Sequence, residues 1–268
     1  MTNQKAILCI DIDGTLINEQ GQVHPCDIEI LQDFPQTIQP ILTTGRNIHS
    51  VKKILRQNGL QKNNHLSMPG VFMNGGLTLL PSEDLCTTHV FTTKALAELI
   101  RLAKENKEKP FTFYSLEEVL LVNPNNFARE KLNVLFEEAQ DCGPDDIPDE
   151  IFKIIIFSED PHDLDPIKPG VKPLSLEIVF SLPFAYEINP PGISKGTSLI
   201  DLTKALRMAH LPIYAVGDAD NDLSLFSLAT KRFASASAQS AVLNQADFII
   251  QRDQNGLFST ILKHIDYG

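Results

Sequence analysis

Two acidic clusters in this chain have a composition that points to chemistry. Asp11 and Asp13 stand two residues apart and run into Gly14 and Thr15, while Asp218, Asp220, Asn221 and Asp222 follow Gly217 in close order. Crowded carboxylates repel one another, and burial adds to the cost, so they are compensated by a cation or by a raised pKa on one member. Residues two apart in extended backbone point the same way, which lets Asp11 and Asp13 share a site. Oxygen-rich loops suit Mg²⁺, which keeps several waters and takes one or two carboxylates plus phosphate oxygens. An EF-hand loop does not fit. Counted from Asp218 it needs Gly at Leu223 and Glu at Ala229, and counted from Asp11 it needs Gly at Leu16.

Three other stretches carry complementary groups. Thr44 and Arg46 lie in Thr43-Thr44-Gly45-Arg46, where a hydroxyl and a guanidinium suit phosphate oxygens. Lys195 lies in Ile193-Ser194-Lys195-Gly196-Thr197, at the expected start of a helix. A cation there opposes the macrodipole and glycine is a weak helix former, so local structure does not favour the pair. Asn74-Gly75 sits between two short apolar runs, as a hairpin turn does. Each stretch alone has an ordinary explanation as a solvated turn, a helix cap or a surface charge. Together they differ from that: acids alone hold a metal, a lysine with a hydroxyl holds an anion, and the combination fits a metal-assisted reaction on a phosphate ester.

The elements around these residues alternate strand and helix. The apolar run Ala6 to Ile10 reads as a buried strand ending at the acidic pair. Pro25 to Asp33 is expected to be helical, Thr37 to Leu42 a second core strand despite Pro40, and the residues from Ile48 through Leu55 a helix ended by Asn58-Gly59. Ile213 to Val216 reads as another core strand feeding the second acidic loop. Strands at 232–236 and 247–250, a short helix at 239–245 and a closing helix at 256–265 complete the alternation. Between them the texture changes. Helices are expected at 92–107 and 127–139, strands at 111–114, 119–122, 151–157 and 176–180, and a short helix at 160–168. Asn189-Pro190-Pro191-Gly192 reads as a rigid linker before a helix running to about His210. The pattern argues for an α/β fold: a doubly wound parallel sheet formed by residues 1–82 and 188–268, interrupted by an α+β insert at 83–187. Ligands of such sheets bind beyond the carboxyl ends of the strands, where both acidic loops fall.

Composition narrows the partners. A net charge of −11 lacks the basic footprint of a nonspecific nucleic-acid binder. An anionic substrate gains no long-range attraction from it, so a phosphate site has to be built locally. No apolar run approaches bilayer length, Met1 to Lys5 carry no long apolar signal region, and Cys9, Cys26, Cys86 and Cys142 make no C-x-x-C pair. The expectation is a cytoplasmic protein with no membrane partner. Its oligomeric state is not legible.

The quoted stretches DIDGT (Asp11–Thr15), TTGR (Thr43–Arg46), ISKG (Ile193–Gly196) and GDADND (Gly217–Asp222) resemble the haloacid dehalogenase superfamily of phosphatases. Their order and spacing are similar to the Cof-type branch, subfamily IIB, which inserts a large α+β cap between the second and third motifs. The Asn74-Gly75 hairpin and Ala246-Asp247-Phe248-Ile249 match that branch as well. The resemblance implies a Rossmann-like core with a specificity cap, Mg²⁺ as cofactor, and a small phosphorylated metabolite, a sugar phosphate in particular, as substrate. It implies Asp11 as nucleophile and Asp13 as acid and base. Asp11, the Asp13 carbonyl and Asp218 would hold the metal, with Asp222 completing the site or orienting Lys195. Thr44 and Lys195 would bind phosphoryl oxygens, and Arg46, Asn74, Gly75 and Asn221 are further candidates. One departure stands out: relatives carry an Asn-Ala pair where this chain has Ser237-Ala238. A phosphomutase, which returns phosphate to its substrate, and a noncatalytic phosphometabolite sensor are the alternative readings.

Overall fold

The computed structural model describes residues 4–61, 68–179, 184–251 and 255–265. The chain forms two compact units, one from the segments up to Thr87 and from Lys195 onward, the other from Thr88 to Ser194. The sequence pattern places the divisions at 82/83 and 187/188. The first falls later because Leu85–Thr88 joins the sheet of the first unit, and the second because Ala185–Asn189 belongs to the sheet of the other.

In the first unit β1 (Ala6–Asp11), α1 (Pro25–Gln32), β2 (Ile38–Thr43), α2 (Ile48–Gln57), β3 (Gly70–Phe72), β4 (Leu77–Leu79) and β5 (Leu85–Thr88) come first along the chain. The second unit follows with α3 (Thr93–Glu105), β6 (Phe111–Tyr114), β7 (Val119–Val122), α4 (Asn126–Val134), β8 (Gln140–Asp141), β9 (Lys153–Phe157), α5 (Lys168–Val171), β10 (Glu177–Val179) and β11 (Ala185–Asn189). The first unit resumes with α6 (Lys195–Ala205), β12 (Ile213–Gly217), α7 (Leu223–Phe226), β13 (Lys231–Ser235), α8 (Ser240–Leu243), β14 (Phe248–Ile250) and α9 (Phe258–Ile261).

The first sheet has the order β14-β13-β12-β1-β2-β3-β4-β5 and is parallel from β14 to β3, with β3 and β4 antiparallel across the Asn74-Gly75 turn. The class is α/β. β1 is buried throughout, as the apolar run requires, and lies between β2 and β12. The chain thus leaves β1 to one side and later returns on the other, which makes the carboxyl ends of β1 and β12 a topological switch point. Pro40 is tolerated inside β2 for a specific reason. Leu42 N–H points toward the β3 side, donating to Pro69, so the residue two before it faces that side as well. β3 pairs with β2 only at Leu42 and Thr43, and the missing N–H of Pro40 therefore leaves no ladder bond unmade. The core of this unit joins Ile7, Cys9, Ile41 and Val71 of the sheet to Leu199 and Leu202 of α6 and Leu225 and Phe226 of α7.

The sheet of the second unit has the order β10-β11-β9-β6-β7-β8. One face, with Phe111, Phe113, Ile154, Ile156 and Ile188, packs on Leu96, Leu99 and Ala103 of α3. Several helices are shorter than periodicity predicts: the one expected at 239–245 is α8, and the one expected at 256–265 is α9 followed by a 3-10 turn, Leu262–His264. α4 ends at Val134 because Phe136 takes a φ of 58°, and α6 ends at Ala205 because Arg207 takes a φ of 59°. Left-handed residues stop a helix while their neighbours still satisfy its last carbonyls. The expected helix at 160–168 is a 3-10 segment, Pro161–Ile167, followed by α5. The expected strand at 176–180 is described as far as Val179, and Phe180 lies outside the described residues.

Candidate active site

Four loops of the first unit meet at its switch point. β1 delivers Asp11, which is 4% exposed, and the chain then turns at Gly14 with a φ of 65°. A Cβ on Gly14 would sit 2.1 Å from Asp218 Oδ2, so only glycine lets the two acidic loops approach this closely. β12 delivers Asp218, and here too a glycine is needed: a Cβ on Gly217 would lie 2.4 Å from the Asp222 carboxyl carbon.

Lys195, at the start of α6, binds these loops together. Its Nζ donates to Asp11 Oδ1 and to Asp222 Oδ1, both at 2.7 Å, with the ammonium and the Asp222 carboxylate fully buried. The position that helix electrostatics disfavours is thus compensated by two carboxylates. Gly196 is explained by packing, since a Cβ there would come within 2.3 Å of the Ser224 carbonyl oxygen.

The electrostatics follow from this burial. Asp11 is raised well above the ordinary carboxylate range, first by desolvation and then by the Asp222 charge, with Lys195 opposing. Asp218 is pushed up to about 7, again by burial first and then by Asp222. Burial by itself lowers Lys195, but Asp11 and Asp222 overcome it and hold the ammonium above its usual range. Asp11, Asp13, Asp218 and Asp222 face two cations, Lys195 and Arg46, so the cluster carries more acid than the protein neutralises.

That imbalance and the open donors fit a divalent cation. Asp11, Asp218 and Asp222 each offer an oxygen, and the three lie within 4.8 Å of one another. Asp222 is already engaged: Oδ1 accepts from Lys195, and Oδ2 accepts from the backbone N–H groups of Asp218 and Ala219 at 3.0 and 3.2 Å. Asp11 Oδ2, by contrast, is buried with no donor among the described residues, and Asp11 can bond to Asp218 only when one of the two carboxyls carries a proton. A buried carboxylate oxygen in that condition is costly unless something cationic comes to it. The backbone of the second loop does not supply an anion nest, because the N–H groups of Asp218, Ala219, Asp220 and Asp222 all have protein acceptors.

The remaining candidates surround this centre. Arg46, 4% exposed, forms a two-pronged pair with Asp13, Nε to Oδ2 at 2.7 Å and Nη2 to Oδ1 at 2.5 Å, and also donates to Ser50 Oγ at 2.9 Å. Its guanidinium is directed to Asp13 here. Thr44 Oγ1 accepts from Arg46 N–H, and the Thr44 carbonyl accepts from Asn74 N–H. Met73 and Asn74 both have positive φ, 50° and 55°, and Asn221 Nδ2 donates to Asn74 Oδ1 at 3.0 Å. Ser237 is exposed, hydrogen-bonds Ser235 Oγ at 3.0 Å, and lines a cleft together with Gly14 and Asp218. Sequence reasoning missed Ser50, Ser198, which donates to the Gly75 carbonyl at 2.8 Å, and Gln239, which holds the second acidic loop. Ser50 alone had a local signal, standing four residues after Arg46 in the first turn of α2.

A family model described as haloacid dehalogenase-like hydrolase matches residues 8–261. The chain belongs to that family. A phosphoglycolate phosphatase of Nitrosopumilus maritimus is 24% identical to this hydrolase over 251 residues, covering 92% of this chain and 90% of its own. A 5-amino-6-(5-phospho-D-ribitylamino)uracil phosphatase of Bacillus subtilis is 25% identical over 282 residues, covering 93% and 94%. Among solved structures, a subclass IIB sugar phosphatase of the haloacid dehalogenase superfamily superposes with a TM-score of 0.80 at 19% identity, covering 97% of this chain and 98% of that one. The resemblance seen in DIDGT, TTGR, ISKG and GDADND agrees with this membership. No helix among the described residues is long and apolar enough to cross a membrane.

Proposed function

We propose that this haloacid dehalogenase-like hydrolase is a Mg²⁺-dependent phosphatase of a small phosphorylated metabolite, a sugar phosphate being the expected class. The observation that carries the reading is the state of Asp11: Oδ1 is fixed by buried Lys195, while Oδ2 is buried, close to the Asp218 carboxyl and without a donor among the described residues. The names of the phosphatase relatives support a small phosphorylated metabolite.

In this reading Asp11, Asp218 and the Asp13 carbonyl would hold Mg²⁺, which would supply charge neutralisation between a carboxylate and an anionic ester. Asp222 holds Lys195 and its own loop, its oxygens being engaged there. An Asp11 oxygen attacks phosphorus and the bond to the leaving oxygen breaks. Asp13 gives that oxygen its proton, leaving an alcohol and an aspartyl phosphate. Water then attacks phosphorus and gives its proton to Asp13, the Asp11–phosphorus bond breaks, and phosphate departs. Lys195 and Thr44 bind phosphoryl oxygens, with Asn74, Gly75 and Asn221 beside them. Arg46 takes both Asp13 oxygens in this structure, so that pair has to open before Asp13 gives its proton. The unit from Thr88 to Ser194 serves as the cap that selects the substrate. Four free cysteines support a cytoplasmic location.

The test is phosphate release from sugar phosphates, phosphoglycolate, nucleotides and an aryl phosphate, with Mg²⁺ and with chelator, beside Asp11→Asn. Metal-dependent release that the variant lacks supports the reading. Phosphate-ester binding without release, or transfer of phosphate back to substrate, overturns it in favour of a sensor or a mutase.

A further inference from the structure

The loop that carries Asp218 is held from outside by a residue with no place in the family motifs. Gln239 precedes α8, beyond the end of β13. Its backbone N–H donates to the Asp218 carbonyl at 2.8 Å, and its side-chain Oε1 accepts from Asp220 N–H at 3.0 Å. The two bonds bracket residues 218–220. On the inner side, Asp222 Oδ2 takes the N–H groups of Asp218 and Ala219. The loop is therefore pinned on both sides, with the Gln239 side chain as an outward pin. Gln239 stands two residues beyond Ser237, whose hydroxyl pairs with Ser235 while its side chain lines a cleft with Asp218.

We propose that Gln239 is a positioning residue for the metal site: by holding Asp220 N–H it fixes the Asp218 carboxylate where Asp11 Oδ2 can share a cation with it. The inference rests on the metal site proposed above. Backbone carbonyls and carboxylates at a metal site gain affinity from being held in place before the ion arrives, and losing such an outer contact typically costs 10–100-fold in metal affinity. Substitution of Gln239 leaves its own N–H bond to Asp218 intact, so it isolates the side-chain contact.

The experiment titrates Mn²⁺, which takes the same hard oxygen donors as Mg²⁺, into the full chain and follows free ion by electron paramagnetic resonance. Four variants are compared with wild type: Gln239→Ala, Gln239→Met, Gln239→Glu and Asp218→Asn. Methionine keeps the length without the acceptor, and glutamate keeps the acceptor. The expected result is binding weakened about 10-fold or more by alanine and methionine, and within about 3-fold of wild type for glutamate. Unfolding temperatures of the metal-free methionine and glutamate variants should match, which separates positioning from folding. Wild-type affinity in Gln239→Met with a weakened Asp218→Asn overturns the inference alone. Equal losses in the methionine and glutamate variants overturn it too, because the acceptor is then not the cause. Undiminished binding by Asp218→Asn removes the metal site itself and the inference with it.

Discussion

Lys195 Nζ lies 2.7 Å from Asp222 Oδ1 and the same distance from Asp11 Oδ1, and Asp222 turns its other oxygen to the backbone of its own loop. One buried carboxylate thus fixes both the lysine and the strand-end loop. Asp222→Ala should destabilise the protein by about 1–3 kcal/mol, because the Asp218 and Ala219 N–H groups lose their acceptor and Lys195 keeps only Asp11. Urea unfolding measures this. A loss below about 1 kcal/mol would show that water or another acid replaces Asp222.

Lys195→Met removes the cation between Asp11 and Asp222. Phosphate release should fall by about 100-fold or more, the scale of losing one preorganised charge stabiliser. In the metal-free protein the variant should also unfold at lower temperature, and added Mg²⁺ should narrow the gap to wild type. An unaltered turnover number at saturating Mg²⁺ would count against Lys195 as a phosphoryl ligand.

The raised pKa of Asp218, about 7 in the metal-free protein, has a definite sign. The folded state holds a proton that the unfolded state gives up near 4, so stability present below that pH is lost as the pH rises through 7. Metal-free protein should therefore have a higher unfolding temperature at pH 5 than at pH 8, with burial as the main cause and Asp222 as the second. Mg²⁺ should stabilise it more at pH 8, where no proton has to be displaced. A flat profile from pH 5 to 8 would remove the argument.

Asp27 makes a contrast, being buried but far from any reaction chemistry. Its carboxylate accepts from the N–H groups of Leu257 and Phe258 at 2.8 to 2.9 Å, capping the start of α9. Asp27→Ala should cost about 2–3 kcal/mol of stability, since it strips a charged acceptor from buried N–H groups. Turnover below the unfolding transition should be unchanged.

In the second unit, Lys153 and Glu187 pair at 3.2 Å with both side chains 3% exposed. Lys153→Met alone should destabilise by about 3–5 kcal/mol, whereas Lys153→Met with Glu187→Leu should recover most of that, as replaced buried pairs do. A double-mutant cycle reads the difference directly.

Much of the site was legible because its residues follow strands whose apolar runs are continuous. Asp11 and Asp218 each stand where such a run stops, and Lys195 drew notice because it and Gly196 contradict helix preference. The structure explains that contradiction with two carboxylates for the lysine and a close Ser224 carbonyl for the glycine. Arg46 was legible as a site residue, but its pairing with Asp13 was not, because periodicity says nothing of which of several acids a guanidinium will reach. Gln239 and Asp27 left no trace in the pattern. Each acts through backbone N–H groups of a distant segment, and any sequence there presents such groups. The ends of α4 and α6 were misplaced for a related reason, since Phe136 and Arg207 are not residue types that announce a left-handed turn.

The order of the strands also sets a timetable. β1 pairs on one side with β2, which follows it closely, and on the other with β12, whose Ile213 opposes Ile7. At roughly 5–20 residues per second, about 200 residues of synthesis leave that edge of β1 without its partner for on the order of 10–40 s. For all that time the nascent chain presents an apolar strand with unpaired N–H and C=O groups to its surroundings. Asp11 meets Lys195 only near the end of the same interval. Ribosomes that stall or terminate early would therefore release chains that are both inert and prone to aggregate.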